Sequence, residues 1–151
     1  MDFLYLAISE AQKAARKGEI PIGAVIVRGD KIIATAYNKR ERKQNALAHA
    51  EVLAINKACR RLRSWRLDDC VMYVTLEPCP MCAGAIVQAR IPVVIFGAKS
   101  PKAGCAGSIL NLLDEPRFNH RAEIISGICE DECASLMSEF MRTLRTASYN
   151  C

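Results

Sequence analysis

No stretch of eighteen apolar residues occurs in the 151-residue chain, so no segment reads as a membrane-spanning helix. The N-terminus also lacks a signal peptide's layout. Asp2 is acidic, and the apolar residues after it recur at helical spacing instead of forming a solid block. Internal repeats, low-complexity tracts and interdomain linkers are missing too, which leaves residues 1–151 as one domain, long enough to bury a substantial core. Histidine is scarce, at two residues. No His-x3–5-His pair exists, and Cys79-x-x-Cys82 has no second Cys-x-x-Cys beside it, so nothing closes a four-ligand structural zinc site.

Cysteine is abundant, with eight residues, but the distribution is not that of a disulfide framework. Cys59, Cys70, Cys105, Cys129, Cys133 and Cys151 fall mostly in apolar surroundings, where a free thiol behaves as a small hydrophobe. Cys129 and Cys133 stand four apart on an expected helix, and core packing accounts for them because no third ligand lies nearby in sequence. A reducing, cytoplasmic compartment fits this usage. Lysine and arginine exceed aspartate and glutamate by 21 to 16, a formal charge of +5. That mild excess is compatible with a polyanionic partner without requiring one.

The chemistry concentrates in two short stretches, His49-Ala50-Glu51 and Glu77-Pro78-Cys79-Pro80-Met81-Cys82. One imidazole and two thiols supply three zinc ligands, His49, Cys79 and Cys82, and three leave a position open for water or substrate, as in a catalytic site. Pro80 and Met81 open an apolar helical run, so both thiols sit near a helix N-terminus, whose positive dipole end favours thiolates. Two thiolates make the ion a weaker Lewis acid than an all-imidazole site would, so a bound water needs a nearby base. Glu51 is placed to be that base. Neighbours in a regular helix diverge by about 100° each, so His49 is expected at the very start of its helix, where its side chain and that of Glu51 can still converge.

Periodicity supplies the frame. Leu4, Ala7, Ile8, Ala11, Ala14 and Ala15 predict an amphipathic helix ending at Gly18. Residues 22–27 and 32–37 predict an antiparallel hairpin turned by Arg28-Gly29-Asp30-Lys31. Asn38 to Leu47 reads as a polar, basic loop, with Lys39, Arg40, Arg42 and Lys43 crowded beside the candidate site and able to meet phosphates. A helix runs from His49 through Leu62; Lys57, Arg60, Arg61, Arg63 and Arg66 read as its solvated face, and Trp65 as a packing residue. Residues 70–76 and 93–96 are near-continuous apolar runs around the Cys82 helix, the pattern of buried strands joined by a parallel crossover. Gly97 to Ser108 reads as a surface loop carrying Lys99 and Lys102, residues 121–126 as a last strand, and the segment from Ile128 as a last helix.

Together these residues resemble the zinc-dependent nucleobase deaminases, and more narrowly the bacterial-type tRNA adenosine deaminases. The resemblance is carried by Gly18-Glu19-Ile20-Pro21-Ile22-Gly23-Ala24-Val25, Ala48-His49-Ala50-Glu51, Thr75 through Ala85, Gly104-Cys105-Ala106-Gly107-Ser108 and Asn119-His120-Arg121. It implies a three-layer α/β/α cytidine deaminase-like fold, with a central mixed sheet of about five strands and helices on both faces. It implies one Zn2+ per subunit, a homodimer, and hydrolytic conversion of the wobble adenosine of a tRNA anticodon stem-loop to inosine. Substrate contacts are implied for Asn38, Lys99, Lys102 and His120. Many members carry aspartate where this chain has Ser100, whose hydroxyl can still donate or accept. Two other readings stand beside this one: a deaminase of a free base or nucleoside such as guanine or cytosine, which would not need the lysine-rich loops, and a zinc-stabilised RNA-binding module, which would leave Glu51 without a role.

Overall fold

A computed structural model describes residues 2–149. The chain opens with α1 (Phe3–Arg16), capped where Asp2 accepts a 3.0 Å hydrogen bond from the Leu4 amide. Leu4, Ala7, Ile8, Ala11 and Ala14 form its buried stripe. The helix stops as expected at Gly18, whose φ of +77° a side chain would resist, and the Glu19 amide closes back on the Ala14 carbonyl at 3.0 Å. The hairpin of β1 (Gly23–Arg28) and β2 (Lys31–Tyr37) follows, tighter than its four turn residues suggest. Arg28 and Lys31 pair across the strands, and Gly29 takes the left-handed φ, +63°, that the first position of a two-residue turn favours.

The remaining elements are α2 (Arg40–Lys43), α3 (Ala50–Leu62), β3 (Cys70–Leu76), α4 (Pro80–Ala89), β4 (Val93–Ala98), a 3-10 turn (Leu112–Asp114), β5 (Glu123–Ser126) and α5 (Glu130–Tyr149). The five strands lie in the order β2-β1-β3-β4-β5, antiparallel through β3 and parallel from β3 to β5. Alternation along β1 divides the core. Ala24 and Ile26 face the cluster that α3 and α4 cover through Ala54, Ala58, Ala83 and Ile86, while Val25 and Val27 pack beneath Leu4 and Ala7 of α1. Cys133 of α5 joins Ile8 and Ala98 on that second face. Full burial of a valine or isoleucine side chain is worth roughly 1.5–3 kcal/mol, so both helical layers are firmly held to the sheet. The three-layer mixed sheet implied by the sequence is the architecture found.

Gly23 is where α1 meets β1 most closely. A Cβ there would strike the Ala7 carbonyl and lie 2.6 Å from the Ala11 amide, both helix backbone that cannot swing aside. Gly23→Ala is therefore expected to lower stability by about 3 kcal/mol, read as a shift in urea midpoint at constant slope.

Three expectations need correction. The loop from Asn38 to Leu47 contains α2, a single turn whose first amides are met by a carboxylate far away in sequence. Trp65 does not pack in the core: it is 59% exposed, its ring 5.1 Å from the Arg66 guanidinium and 5.7 Å from that of Arg90. The reason is local. Arg63 ends α3 with a left-handed φ of +52°, and the chain crosses the surface until Leu67 enters the core. Lys57 and Arg61 are exposed but not merely solvated, because Lys57 donates to the Thr35 carbonyl at 2.8 Å and Arg61 to those of Ile32 and Ile33 at 3.0 and 3.1 Å. They cover the outer edge of β2, which would otherwise offer free carbonyls to another strand. Cys70, Cys105 and Cys133 are buried and Cys59 and Cys129 half-buried, all free thiols; Cys151 lies outside the described residues.

Candidate metal centre and active site

Two helix starts meet at the carboxyl end of β3. The Glu77 amide donates to the Ala98 carbonyl at 2.9 Å, carrying the β3–β4 ladder one step past the strand, and the chain then leaves the sheet at Pro78. Cys79 is extended (φ −74°, ψ 175°) and caps α4, with Pro80 in the first helical position, where its missing N–H is no loss. Cys82 follows in the first turn. His49 caps α3 in the same way, extended at φ −77° and ψ 152°, and Glu51 lies in that helix's first turn. This is the start-of-helix placement that convergence of His49 and Glu51 requires.

The imidazole Nδ1 lies 3.6 Å from Cys79 Sγ and 3.5 Å from Cys82 Sγ, and the three ligand atoms all fall within 4.8 Å of one another. Zinc held at about 2.3 Å from sulfur and 2.0–2.1 Å from nitrogen, at tetrahedral angles, sets N and S roughly 3.6 Å apart. Both nitrogen–sulfur distances therefore fit a shared metal ion. Glu51 is 3% exposed, and its Oε1 is a buried side-chain oxygen with no hydrogen-bond partner in the protein. An orphaned acceptor beside three metal-type donors is the place a metal's water would occupy.

The electrostatics agree. The hydrogen bond from Cys82, assisted by His49, holds the Cys79 thiol down to about 4, so it is a thiolate at neutral pH. Cys82 is pushed up because it donates that hydrogen bond to Cys79 and is itself buried. The Cys79 sulfur raises His49, and burial lifts the Glu51 carboxyl to about 6.

The other candidate residues are distributed around this centre. Asn38, 3% exposed at the end of β2, donates through Nδ2 to the Ile20 carbonyl at 3.3 Å and accepts from the Arg40 amide at 3.1 Å. Lys99 and Lys102 line a groove of about 400 Å3 with Leu76, Pro101, Met137 and Met141, between the loop after β4 and α5. His120 is bonded through Nε2 to the Ile91 carbonyl at 2.8 Å. Ile91 follows the C-terminal end of α4, whereas Cys79 caps its start, so about 15 Å of helix separates His120 from the ligands within one chain. Ser100 gives its backbone amide to Glu77 Oε1 at 3.1 Å.

Two buried carboxylates were quoted in the sequence motifs but given no role there, Glu19 and Glu77. Glu77 collects the amides of Ser100, Ala106 and Ser108 and the Ser108 hydroxyl. Burial opposes its ionisation, but these hydrogen bonds, led by Ser108, outweigh it and hold the carboxyl below its usual range. The signal available in the sequence was Gly104, where a Cβ would overlap the Glu77 carboxylate.

Comparison with known proteins gives one answer. A family profile described as MafB19-like deaminase matches residues 2–145. The tRNA-specific adenosine deaminase of Bacillus subtilis (strain 168) is 56% identical over 146 residues, spanning 95% of this chain and 91% of that protein. A structure solved in studies of A-to-I editing by tRNA:A34 deaminases at the wobble position of transfer RNA superposes with a TM-score of 0.86 at 40% identity, covering 89% of this chain and 97% of the other. The guanine deaminase of Bacillus subtilis also superposes, with a TM-score of 0.64 at 34% identity, over 91% of this chain and 90% of that one. The length of the match and the identity along nearly all of it fix the lineage, and the chain belongs to the MafB19-like deaminases, in the group of tRNA-specific adenosine deaminases.

Proposed function

We propose that this chain hydrolyses the 6-amino group of adenosine at the wobble position of a tRNA anticodon, giving inosine and ammonia. The observation that carries the reading is the orphaned Glu51 oxygen beside His49, Cys79 and Cys82, in a chain whose relatives are named for that reaction. His49 Nδ1 and the Cys79 and Cys82 sulfurs would hold one zinc ion, whose charge, when bound, lowers the pKa of water. Glu51 takes a proton from the attacking water and delivers it to the purine ring nitrogen as the oxygen adds to C6. The same carboxylate, free again, takes the proton of the new C6 hydroxyl and hands it to the departing amine as the C6–N bond breaks, so water and adenosine become inosine and ammonia with atoms balanced. Burial excludes bulk water from Glu51, and its raised pKa suits a group that must both accept and release a proton near neutrality.

Asn38, next to the Lys39 amide that bonds the Ala48 carbonyl beside His49 at 3.0 Å, carries an amide able to donate to and accept from a purine edge, and Lys99 and Lys102 supply charge for the RNA backbone. An unpaired anticodon base enters the pocket without breaking a duplex. His120, at the far end of α4, would meet RNA only away from the reacting base. A homodimer is supported by large apolar side chains left on the surface, Leu47 at 59%, Ile109 at 53%, Leu110 at 55% and Phe118 at 46% exposed. Among the described residues no helix is long and apolar enough to cross a membrane, and the free thiols suit the cytoplasm.

The test offers the zinc-loaded protein an anticodon stem-loop, free guanine and free cytosine in parallel, measuring inosine and ammonia. Inosine from the stem-loop alone is expected. Ammonia from guanine or cytosine with none from the RNA would overturn the substrate assignment and favour the small-substrate deaminases.

A further inference from the structure

Glu19 and Glu77 are buried carboxylates, at 1% and 3% exposure, and no ion pair among the described residues involves either. Each is satisfied instead by the backbone of one basic segment. Glu19 Oε1 accepts from the Glu41 amide at 3.0 Å and Oε2 from the Arg42 amide at 2.8 Å. These amides belong to the turn that carries Arg40, Arg42 and Lys43 on its exposed side. Glu77 Oε1 accepts from the Ser100 amide at 3.1 Å and from the Ser108 hydroxyl, and Oε2 accepts from the Ala106 and Ser108 amides, both at 3.0 Å. These groups pin the loop that carries Lys99 and Lys102 at Ser100, just after Lys99, and again at Ala106 and Ser108, and Gly104 packs against the carboxylate too closely for any side chain.

The geometry asks for a carboxylate and nothing else of that size. Only an ionised carboxylate accepts on both oxygens; glutamine offers one oxygen and turns two N–H groups toward the converging amides. Placement is the second point. Glu19 precedes β1, whose first amide, at Gly23, bonds the Thr75 hydroxyl at 3.2 Å, and Glu77 stands between Thr75 and Cys79. Both carboxylates therefore lie at the end of the sheet that holds the metal ligands, each with its basic segment on the outside.

We propose that Glu19 and Glu77 are positioning residues that fix the basic segments 39–43 and 99–102 in the arrangement an RNA substrate needs, an inference that rests on the tRNA reading above. Neither touches the reacting atoms. Their loss removes binding common to ground and transition state, which raises KM while leaving kcat nearly unchanged.

The test uses the zinc-loaded full chain and the variants Glu77→Gln and Glu19→Gln. Metal content, amide hydrogen exchange and steady-state kinetics on an anticodon stem-loop are read for each. Glu77→Gln is expected to speed exchange across residues 100–108 and not 40–45, and Glu19→Gln the reverse. Each should raise KM about tenfold with kcat within about threefold and zinc retained. Ser108→Ala removes one hydroxyl donor only and should raise KM about threefold, which keeps the proposal testable where a glutamine variant fails to fold. Unchanged KM with a wild-type protein active on the stem-loop overturns this proposal alone, as does loss of zinc in step with activity. A wild-type protein inert on the stem-loop overturns the tRNA reading as well, and the exchange data then report separately on what the carboxylates hold.

Discussion

Glu51→Gln is expected to keep its metal and lose at least about a thousandfold in kcat. Glutamine matches glutamate in volume, so the tightly covered position in the first turn of α3 survives, and His49, Cys79 and Cys82 are untouched. What disappears is the ability to carry a proton. An amide cannot take one from water and return it to a ring nitrogen, and both steps run through Glu51, whose buried oxygen has no hydrogen-bond partner among the described residues. KM for the stem-loop should stay near the wild-type value, because the basic segments that bind RNA do not depend on Glu51. Metal analysis alongside single-turnover inosine formation separates the two effects. Wild-type turnover with a full complement of metal would remove Glu51 from the chemistry, and loss of metal would make it a structural group of the centre.

Most of this arrangement could be read from the chain, because it is written in local patterns. The α1 stripe is a spacing of three and four, and its end is a glycine that the left-handed φ at Gly18 needs. Burial of β1 on both faces follows from its unbroken apolar run, with α1 above and α3 below. The cap at His49 followed from chemistry, since a ligand and a base two residues apart converge only at a helix start, and the start of α4 at Cys79 followed from Pro80 and Met81 opening an apolar helical run. The substrate contacts expected of Asn38, Lys99, Lys102 and His120 came only from the resemblance, and the side chains of Asn38 and His120 bond the protein's own backbone.

What stayed hidden depends on contacts remote in sequence. The four residues of α2 are too few to show a period, and the turn is fixed by Glu19, 22 and 23 positions upstream of the amides it accepts. Glu77 reaches 23 to 31 residues ahead for its donors, and nothing near it in the chain marks the side chain as turned inward. Trp65 misled for the opposite reason. Its size argued for the core, whereas the left-handed turn at Arg63 had already taken the chain outward, leaving the smaller Leu67 to fill the interior.

Cys82→Ala is expected to abolish metal retention, and all measurable turnover with it, because His49 and Cys79 alone cannot hold an ion in a site meant to keep a position open. The wild-type protein offers a companion measurement that needs no substrate. Without metal, the two sulfurs share one hydrogen bond: Cys79 accepts it and is held down to about 4, while Cys82 donates it and is pushed up. A metal needs both sulfurs deprotonated and the imidazole neutral, so it must displace the Cys82 proton, and that of His49 wherever its raised pKa leaves it charged. Protons compete with the metal, and affinity falls as pH falls, by about tenfold per pH unit for each proton released. Chelator competition at pH 6, 7 and 8 reads this slope directly. The wild-type protein should lose at least about tenfold in zinc affinity per pH unit as pH falls from 8 to 6, the Cys82 proton setting that slope and His49, whose pKa is raised, steepening it wherever its imidazole is charged. A flat profile would mean that the sulfurs are not the ligands, and Cys82→Ala retaining its zinc would mean the same.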